Sequence, residues 1–330
     1  CKARRKLVTF ETLWFSFAAR RAIDFETYDV IHGTMMPAST VAVTSFNDIE
    51  TPVVLTSHGT SIGEAKAVAL ETPADYLLKF FFHPMNVVMD YVASRDADRV
   101  IAISDHAYDQ LTTSYLLENK RVEMIPHGVD TDWFYPREET HPAVDSEKMS
   151  LLYVGRLGAR KGLGLALRAV VRVESDDVEF LIAGTGRHEE RLRKLAQGLE
   201  IQEQVHFLGY VDDTDLPELY SSADVFILPS KYEGFGLVLL EAIACGTPVI
   251  GADAGGIPTA VDDGEDGCVV ERNEGSLAAA IEEMIQDDQM REKMEKASIQ
   301  DRESRSWDRA IQHTENVYSA FTRARTQEEA

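Results

Sequence analysis

The sequence predicts an α/β protein of two domains, each a parallel sheet covered by helices. Short apolar runs alternate with amphipathic helical patterns along the chain, the order that parallel strands require because each crossover needs a helix. The 330 residues, 44% of them hydrophobic, are enough for two buried cores. Between Pro136 and Ser150 the periodicity gives way to two prolines and many charges, the pattern of a linker. The domains are therefore read as 1–137 and 151–305, joined by 138–150 and followed by a closing helical stretch, 306–330.

In the first half the apolar runs place strands at Asp29–His32, Val53–Thr56, Val100–Ser104 and Val122–Ile125. The second run ends in Ser57-His58-Gly59, so His58 is expected at the carboxyl edge, where open α/β sheets bind ligands. Six strands are expected in the second half: Leu151–Val154, Val178–Ala183, Val205–Leu208, Val225–Leu228, Pro248–Ala252 and Cys268–Val270. In the closing helix, Trp307, Ile311, Val317, Tyr318 and Phe321 are spaced to form one apolar face.

Composition excludes several classes. There are 56 acidic against 33 basic side chains, a formal charge of −23, which repels nucleic acid over most of the surface, so a phosphate ligand must be held locally. The excess reads as a solvated acidic surface, that of a high-salt habitat or of an ordinary acidic protein. The most apolar stretch, Tyr76 to Val92, is interrupted by Lys79, His83, Pro84, Asn86 and Asp90 and is no membrane span. Three scattered cysteines, Cys1, Cys245 and Cys268, make neither a disulfide framework nor a four-ligand zinc site, and a cytoplasmic location is expected. A lipid-modified Cys1 is the minor alternative.

Three segments carry candidate chemistry. Gly155-Arg156-Leu157-Gly158-Ala159-Arg160-Lys161-Gly162 follows a strand and precedes a helix, which brings Arg156 and Lys161 to a sheet edge where two cations can neutralise a diphosphate. Gly184-Thr185-Gly186 follows the next strand, and its glycines let backbone approach a ligand. The sharpest segment runs from Ser230 to Ala242. Glu233 and Glu241, with seven residues between them, bracket a glycine-rich loop and a helix start, a separation of about 12 Å if all of it were helical. Carboxylates accept from sugar hydroxyls, and the N–H groups around Gly234, Phe235, Gly236 and Leu237 suit an anion.

These residues amount to a resemblance. Gly155-Arg156-Leu157 with Lys161-Gly162, Gly184-Thr185-Gly186, Phe207 to Val211, Ala223 to Ser230, Glu233 to Ala242, Ala244 to Ile250 and Gly255 to Pro258 resemble, in order and spacing, the donor half of retaining glycosyltransferases of family 4. His58-Gly59, Ala102 to Ser104 and Ile125 to Asp130 are also similar, although His127 stands where the family more often has Asn. The resemblance implies a GT-B fold of two Rossmann-like domains facing across a cleft, the final helix crossing back onto the first. It implies that Arg156 and Lys161 hold the donor diphosphate, Glu233 with the Gly234–Gly236 backbone the transferred sugar, Glu241 the ribose, and Tyr210 and Val211 the base. His58 would face the donor sugar from the acceptor side. It further implies a nucleotide-diphosphate sugar as co-substrate, no metal or other cofactor, and a glycan, lipid or small-molecule acceptor, with a peripheral membrane contact as a further partner. The family's opening strand and Gly-rich loop are not found before Asp29, as in a chain that starts late or is shortened.

Other features read as structural. Asp212-Asp213-Thr214-Asp215 reads as capping acids before a helix at Leu216–Ser221 rather than as a metal site. Phe80-Phe81-Phe82 reads as core ahead of a membrane wedge. A nucleotide-sugar 2-epimerase and a non-catalytic nucleotide-sugar-binding partner are the alternative functions; the glutamate spacing with Arg156 and Lys161 favours transfer.

Overall fold

A computed structural model describes residues 18, 24–34, 50–68, 70–173, 175 and 177–328 of the chain. Cys1 and the opening of the first domain lie outside them. The chain divides into two compact units, 1–126 with 311–330 and 127–310.

Among the described residues of the first unit, four parallel strands lie in the order β1 (Ile31–Thr34), β2 (Val53–Ser57), β3 (Arg99–Ala102), β4 (Val122–Met124). Two crossover helices begin at side-chain caps: Thr60 Oγ1 accepts from Gly63 N to start α1 (Ser61–Ala67), and Ser104 Oγ accepts from Ala107 N to start α4 (Asp105–Asp109). Between them, α2 (Pro73–Leu77), a π-turn (Leu78–Phe82) and α3 (His83–Asp96) follow one another. The core joins Leu55, Val100 and Val122 of the sheet to Ala93 and Ala97 and to Leu111, Tyr115 and Leu117 in one cluster. Asp90 fastens α3 to the start of α1, accepting from Ser61 N and Oγ at 3.0 and 2.8 Å.

The second unit has six parallel strands in the order β10-β9-β8-β5-β6-β7: β5 (Met149–Val154), β6 (Val178–Ala183), β7 (Val205–Gly209), β8 (Val225–Leu228), β9 (Val249–Ala252) and β10 (Gly267–Val270). β6, β8 and β9 are buried along their whole lengths, as expected of strands covered on both faces. From β5 the chain builds outward through β6 and β7, then returns to pair β8 with β5 and builds the other way. The β5/β8 boundary is therefore the switch point of this sheet, where crossovers leave a crevice at the carboxyl ends.

All ten strands predicted from sequence are present, with ends moved by no more than two residues. Three readings differ. The 138–150 stretch lies within the second unit, where Ser221 and Ser222 accept from Arg137 N and His141 N and Glu179 accepts from Asp145 N. Phe80 and Phe81 are 62% and 71% exposed instead of core, because the residues that turn inward come later, at His83, Asn86, Ala93 and Ser94 of α3. In α12 (Trp307–Glu328) the apolar face is shorter than its spacing predicts: Trp307 and Ile311 are exposed, whereas Tyr318 and Phe321 pack on the first unit against His32 and Arg99.

His32 bonds through both ring nitrogens, Nε2 to Thr56 Oγ1 at 2.7 Å and Nδ1 to the Tyr318 hydroxyl. Burial lowers its pKa, and the nearby His58 lowers it further; burial also lowers His58, His83 and His106. All four belong to the first unit. Above the ordinary value of 6.5 both folded and unfolded chains carry neutral rings, so this contribution is fully present; as pH falls below 6.5 the unfolded chain takes up protons that the fold resists, and stability is lost. Hydrogen-exchange protection of the first unit is expected to fall between pH 7.5 and 5.5, with a shallower fall in His32→Gln. Protection independent of pH over that window would contradict the assignment.

Candidate functional site

The loops that leave β5, β6, β7 and β8 meet at the carboxyl edge of the second sheet. They meet through backbone. Gly155 N donates to Ala183 O at 2.9 Å and Gly184 N donates to Gly209 O at 2.6 Å, so the turns after three successive strands are linked in series. A Cβ on Gly184 (φ +128°) would lie 2.0 Å from Gly155 O, and one on Gly186 would lie 2.2 Å from Leu157 O. On the other side of β5, a Cβ on Gly162 (φ +74°) would lie 2.0 Å from Pro229 O at the end of β8. Lys231 N donates to Arg160 O at 2.7 Å across the same junction.

This frame brings Lys161 to Glu233. Lys161 Nζ lies 2.6 Å from Glu233 Oε1, and Ser230 Oγ donates to the same oxygen at 2.6 Å. Both side chains are largely buried, so the pair is screened less than a surface ion pair. Two features suit it to a ligand. The ammonium has three donors, of which one is committed here, and Glu233 Oε2 has no partner among the described residues. Arg156 is exposed on the same loop, and its guanidinium makes no hydrogen bond or ion pair among the described residues.

The loop carrying Glu233 is held from beneath. Gly256 N donates to Glu233 O at 2.9 Å, and Cβ atoms on Gly255 or Gly256 would meet Glu233 O and Gly234 O at 2.2 and 2.1 Å. Phe235 packs edge-on to His127, which also lies against Trp307. Gly236 (φ +103°) turns the chain into α8 (Leu237–Ala244). Helix therefore separates Glu241 from Leu237 only, about 6 Å of rise, and the loop sets the rest of the distance to Glu233.

Of the residues singled out in the sequence, Gly155, Arg156, Lys161, Gly184, Gly186, Glu233, Gly234, Phe235, Gly236 and Leu237 gather at this edge. Tyr210 and Val211 follow β7, with Tyr210 69% exposed. Glu241 is turned inward: Tyr220, fully buried, donates to its Oε2 at 2.8 Å, and burial raises the carboxyl pKa against the lowering effect of that hydroxyl. His58 belongs to the first unit, directly after β2. It keeps an exposed edge, yet the groups around it desolvate the ring enough to lower its pKa. Among the described residues no three His, Cys, Asp or Glu side chains converge as a metal cluster would. Asp215 occupies the N-cap position of α7 (Leu216–Ser222), but its carboxylate accepts from Thr214 Oγ1 rather than from a helix N–H, so the capping expected there is not made by the side chain.

Two contributors were not singled out from sequence. Ser230 opens the segment singled out above but was given no role there, and its signal is its place two residues after a buried strand and three before Glu233. Tyr153 sits inside β5, where its hydroxyl donates to Arg156 O at 3.1 Å; burial and then the Glu233 charge push its pKa up, so it stays a neutral donor that sets the Arg156 turn.

Residues 136–301 match the family described as glycosyl transferases group 1, and residues 5–133 match glycosyltransferase family 4. The chain belongs to the group 1 glycosyltransferases. It is 32% identical over 309 residues to a D-inositol 3-phosphate glycosyltransferase of Geodermatophilus obscurus, covering 89% of this chain and 66% of that one. It is 31% identical over 317 residues to the protein of that name from Actinosynnema mirum, covering 90% and 73%. The sucrose-phosphate synthase of Thermosynechococcus elongatus superposes with a TM-score of 0.82 at 26% identity over 97% of this chain and 80% of that one. Anabaena HepE, solved with UDP and glucose, gives 0.74 at 22% identity over 92% and 80%, a likeness of fold. The group 1 chain thus has the GT-B fold, two parallel-sheet α/β units.

The backbone contacts make a prediction that separates close approach from glycine content. Gly184→Ala is expected to destabilise the second unit by at least about 1–3 kcal/mol, because it places a side chain at positive φ against a carbonyl. Gly158→Ala, with nothing within 4 Å of the added carbon, is expected to melt within about 0.5 kcal/mol of wild type. Equal melting of the two variants would remove the close approach as the cause.

Proposed function

We propose that this group 1 glycosyltransferase moves a glycosyl group, with retention, from a nucleoside-diphosphate sugar to an acceptor hydroxyl. The observation that carries the reading is the Lys161–Glu233 pair at the switch point of the second sheet, with spare donors on one partner and a spare acceptor on the other. In the proposed reaction the bond from the anomeric carbon to the diphosphate oxygen breaks and its electron pair leaves with the phosphate. The acceptor oxygen bonds to the same face, and its proton passes to the departing phosphate oxygen. Arg156 and Lys161 balance the charge of the leaving group without a resident metal, and the N–H groups of Gly234 to Leu237 lie beside it. Glu233 accepts from hydroxyls of the transferred sugar, Glu241 is assigned to the ribose, and Tyr210 and Val211 flank the base. His58 acts from the acceptor side. The acceptor is a glycan, a lipid or a small molecule; an inositol phosphate is the first to assay, because relatives at 31–32% identity carry that name.

Thermal shift with uridine and guanosine diphosphates is the first test. A ligand at 100 times its dissociation constant is expected to stabilise the fold by about 2.7 kcal/mol, and no shift with any nucleoside diphosphate would end the donor reading. Arg156→Ala and Lys161→Ala are each expected to weaken diphosphate binding by about 1.5–3 kcal/mol, at least tenfold, with the fold intact. Glu233→Gln is expected to lower turnover more than nucleotide affinity, and Glu241→Gln the reverse. Equal losses of both quantities in both variants would refute the division of roles.

His58→Ala separates the two units functionally. Transfer is expected to fall about 100-fold or more while affinity for nucleoside diphosphate is unchanged. A stable variant with wild-type transfer would remove His58 from the site.

A further inference from the structure

A chain of polar groups in the first unit leads to the loop that carries His58. His106, in α4, is half-buried, whereas Gln110 and Thr60 are buried. Gln110 Nε2 donates to His106 Nε2 at 2.8 Å, and at the other end of the same amide Gln110 Oε1 accepts from the Thr60 hydroxyl. Thr60 in turn caps α1 by accepting from Gly63 N, and it stands two residues after His58. A break in the helix brings Gln110 there. After Asp109, α4 gives way to a π-turn (Gln110–Ser114), closed by Tyr115 N donating to Gln110 O at 3.0 Å, a local widening that recurs at functional sites.

These bonds fix a protonation state. An amide NH2 only donates, so the His106 Nε2 that it faces carries no proton, and the ring is neutral with its proton on Nδ1. Burial is the main cause that lowers the His106 pKa; of the charges facing the ring, Asp109 on its own helix opposes that effect and Lys66 of α1 adds to it. The other titratable group at the start of α1 is Asp90 of α3, which accepts from Ser61 N and Oγ and from the Tyr115 hydroxyl; burial raises its pKa and those bonds lower it. A proton on His106 Nε2 sets two donors against each other. Turning the Gln110 amide over relieves that contact, with Oε1 accepting from the imidazolium, but it also presents the NH2 to Thr60. The Thr60 oxygen then holds two donors, Gly63 N and Gln110 Nε2, and its own proton loses its acceptor. Thr60 is 1% exposed, so water is poorly placed to supply another.

We propose that His106, Gln110 and Thr60 form a proton-operated switch at the start of α1, and that His106 and Gln110 are thereby positioning residues for His58. With His106 neutral, the Thr60 hydroxyl has both its donor and its acceptor engaged, and the cap holds the end of the His58 loop. With His106 protonated, the cap slackens and the loop with it. The positioning role rests on the reading of His58 as the acceptor-side group, whereas the switch itself does not.

The test is an NMR titration of the isotopically labelled full chain from pH 7.5 to 5.5, with the His106 ring signal assigned by its loss in His106→Asn. Gln110→Glu replaces the amide by a carboxylate that accepts from the imidazolium and from Thr60 without turning, so His106 is expected to titrate higher than in the wild type by about one unit or more. As pH falls, exchange of the Gly63 amide, corrected for its intrinsic rate, is expected to gain about fivefold over that of the β3 amides, the worth of a side-chain cap. No such gain is expected in His106→Asn or Gln110→Glu. Over the same range His106→Asn is expected to lose less of its transfer rate than the wild type, with nucleoside-diphosphate affinity following the wild type throughout. A His106 titration unmoved by Gln110→Glu, or a Gly63 amide that follows the β3 amides at every pH, overturns the switch. A transfer profile of His106→Asn identical to that of the wild type overturns the positioning role. Wild-type transfer by His58→Ala overturns the acceptor-side reading and the positioning role with it, while titration and exchange still decide the switch.

Discussion

Close backbone packing at the carboxyl edge of the second sheet is the constraint on which the rest of that unit depends. Carbonyl oxygens of Gly155, Leu157, Pro229, Glu233 and Gly234 each lie where the Cβ of a facing residue would be, and glycine faces each one. Removing that atom lets loops from non-adjacent parts of the chain come within hydrogen-bond distance. A 2.6 Å contact between Lys161 and Glu233, 72 residues apart, then costs side-chain ordering alone, because both backbones are already fixed. The ion pair is a result of the glycines more than a cause of the fold. A partly buried pair of this kind adds little net stability, since its attraction offsets its own desolvation. What it supplies is a charged, pre-positioned pair at the switch point.

How far this was legible in the sequence varies with the interaction. Strands were legible because burial on both faces leaves uninterrupted Val, Ile and Leu runs, and β6 and β8 match their predicted bounds without change. The glycine turns were legible as motifs, although the carbonyl each one faces is not encoded nearby: Gly162 meets Pro229 and Gly255 meets Glu233 only after the sheet is assembled. Glu241 shows the limit on side chains. Its position in the helix was readable, but its burial against Tyr220 comes from a different crossover, with no local periodicity to announce it. Phe80 and Phe81 misled for the opposite reason. Three consecutive aromatics suggest core by hydrophobicity alone, whereas Phe80 and Phe81 both face outward and the core takes Ala93 from the later part of α3.

The 138–150 stretch shows why composition is a weak guide to boundaries. Pro142 and a run of charges remove periodicity, which resembles a linker, yet the main-chain donors of His141 and Asp145 are taken up by Ser222 and Glu179. An irregular segment can be as firmly held as a helix if side chains elsewhere supply its acceptors. Conversely the division at 126/127 falls beside a short apolar pattern, Ile125-Pro126-His127-Gly128-Val129, that gives no sign of a boundary. There the chain is fastened by backbone: Val129 N donates to Arg305 O and Trp307 N to Val129 O, and Gly128 admits the Ser306–Trp307 peptide where a side chain would block it.

The two units also differ in the kind of charge they use. In the second, the groups at the sheet edge are an arginine and a lysine–glutamate ion pair, and the neighbouring tyrosine is kept neutral by burial. In the first, the corresponding edge is furnished with histidine. His58 directly follows β2 and His32 lies within the adjacent β1; burial lowers the pKa of both, His58 lowers that of His32 further, and Tyr318 ties His32 to the terminal helix. An imidazole kept neutral can accept a proton or a hydrogen bond from a hydroxyl without the desolvation cost of a buried ion. Fixed charge suits a ligand whose charge is constant, and a neutral base suits one that is itself neutral. A diphosphate and an alcohol are such a pair, so the electrostatic difference between the two sheet edges agrees with a division of the proposed reaction into a donor side and an acceptor side.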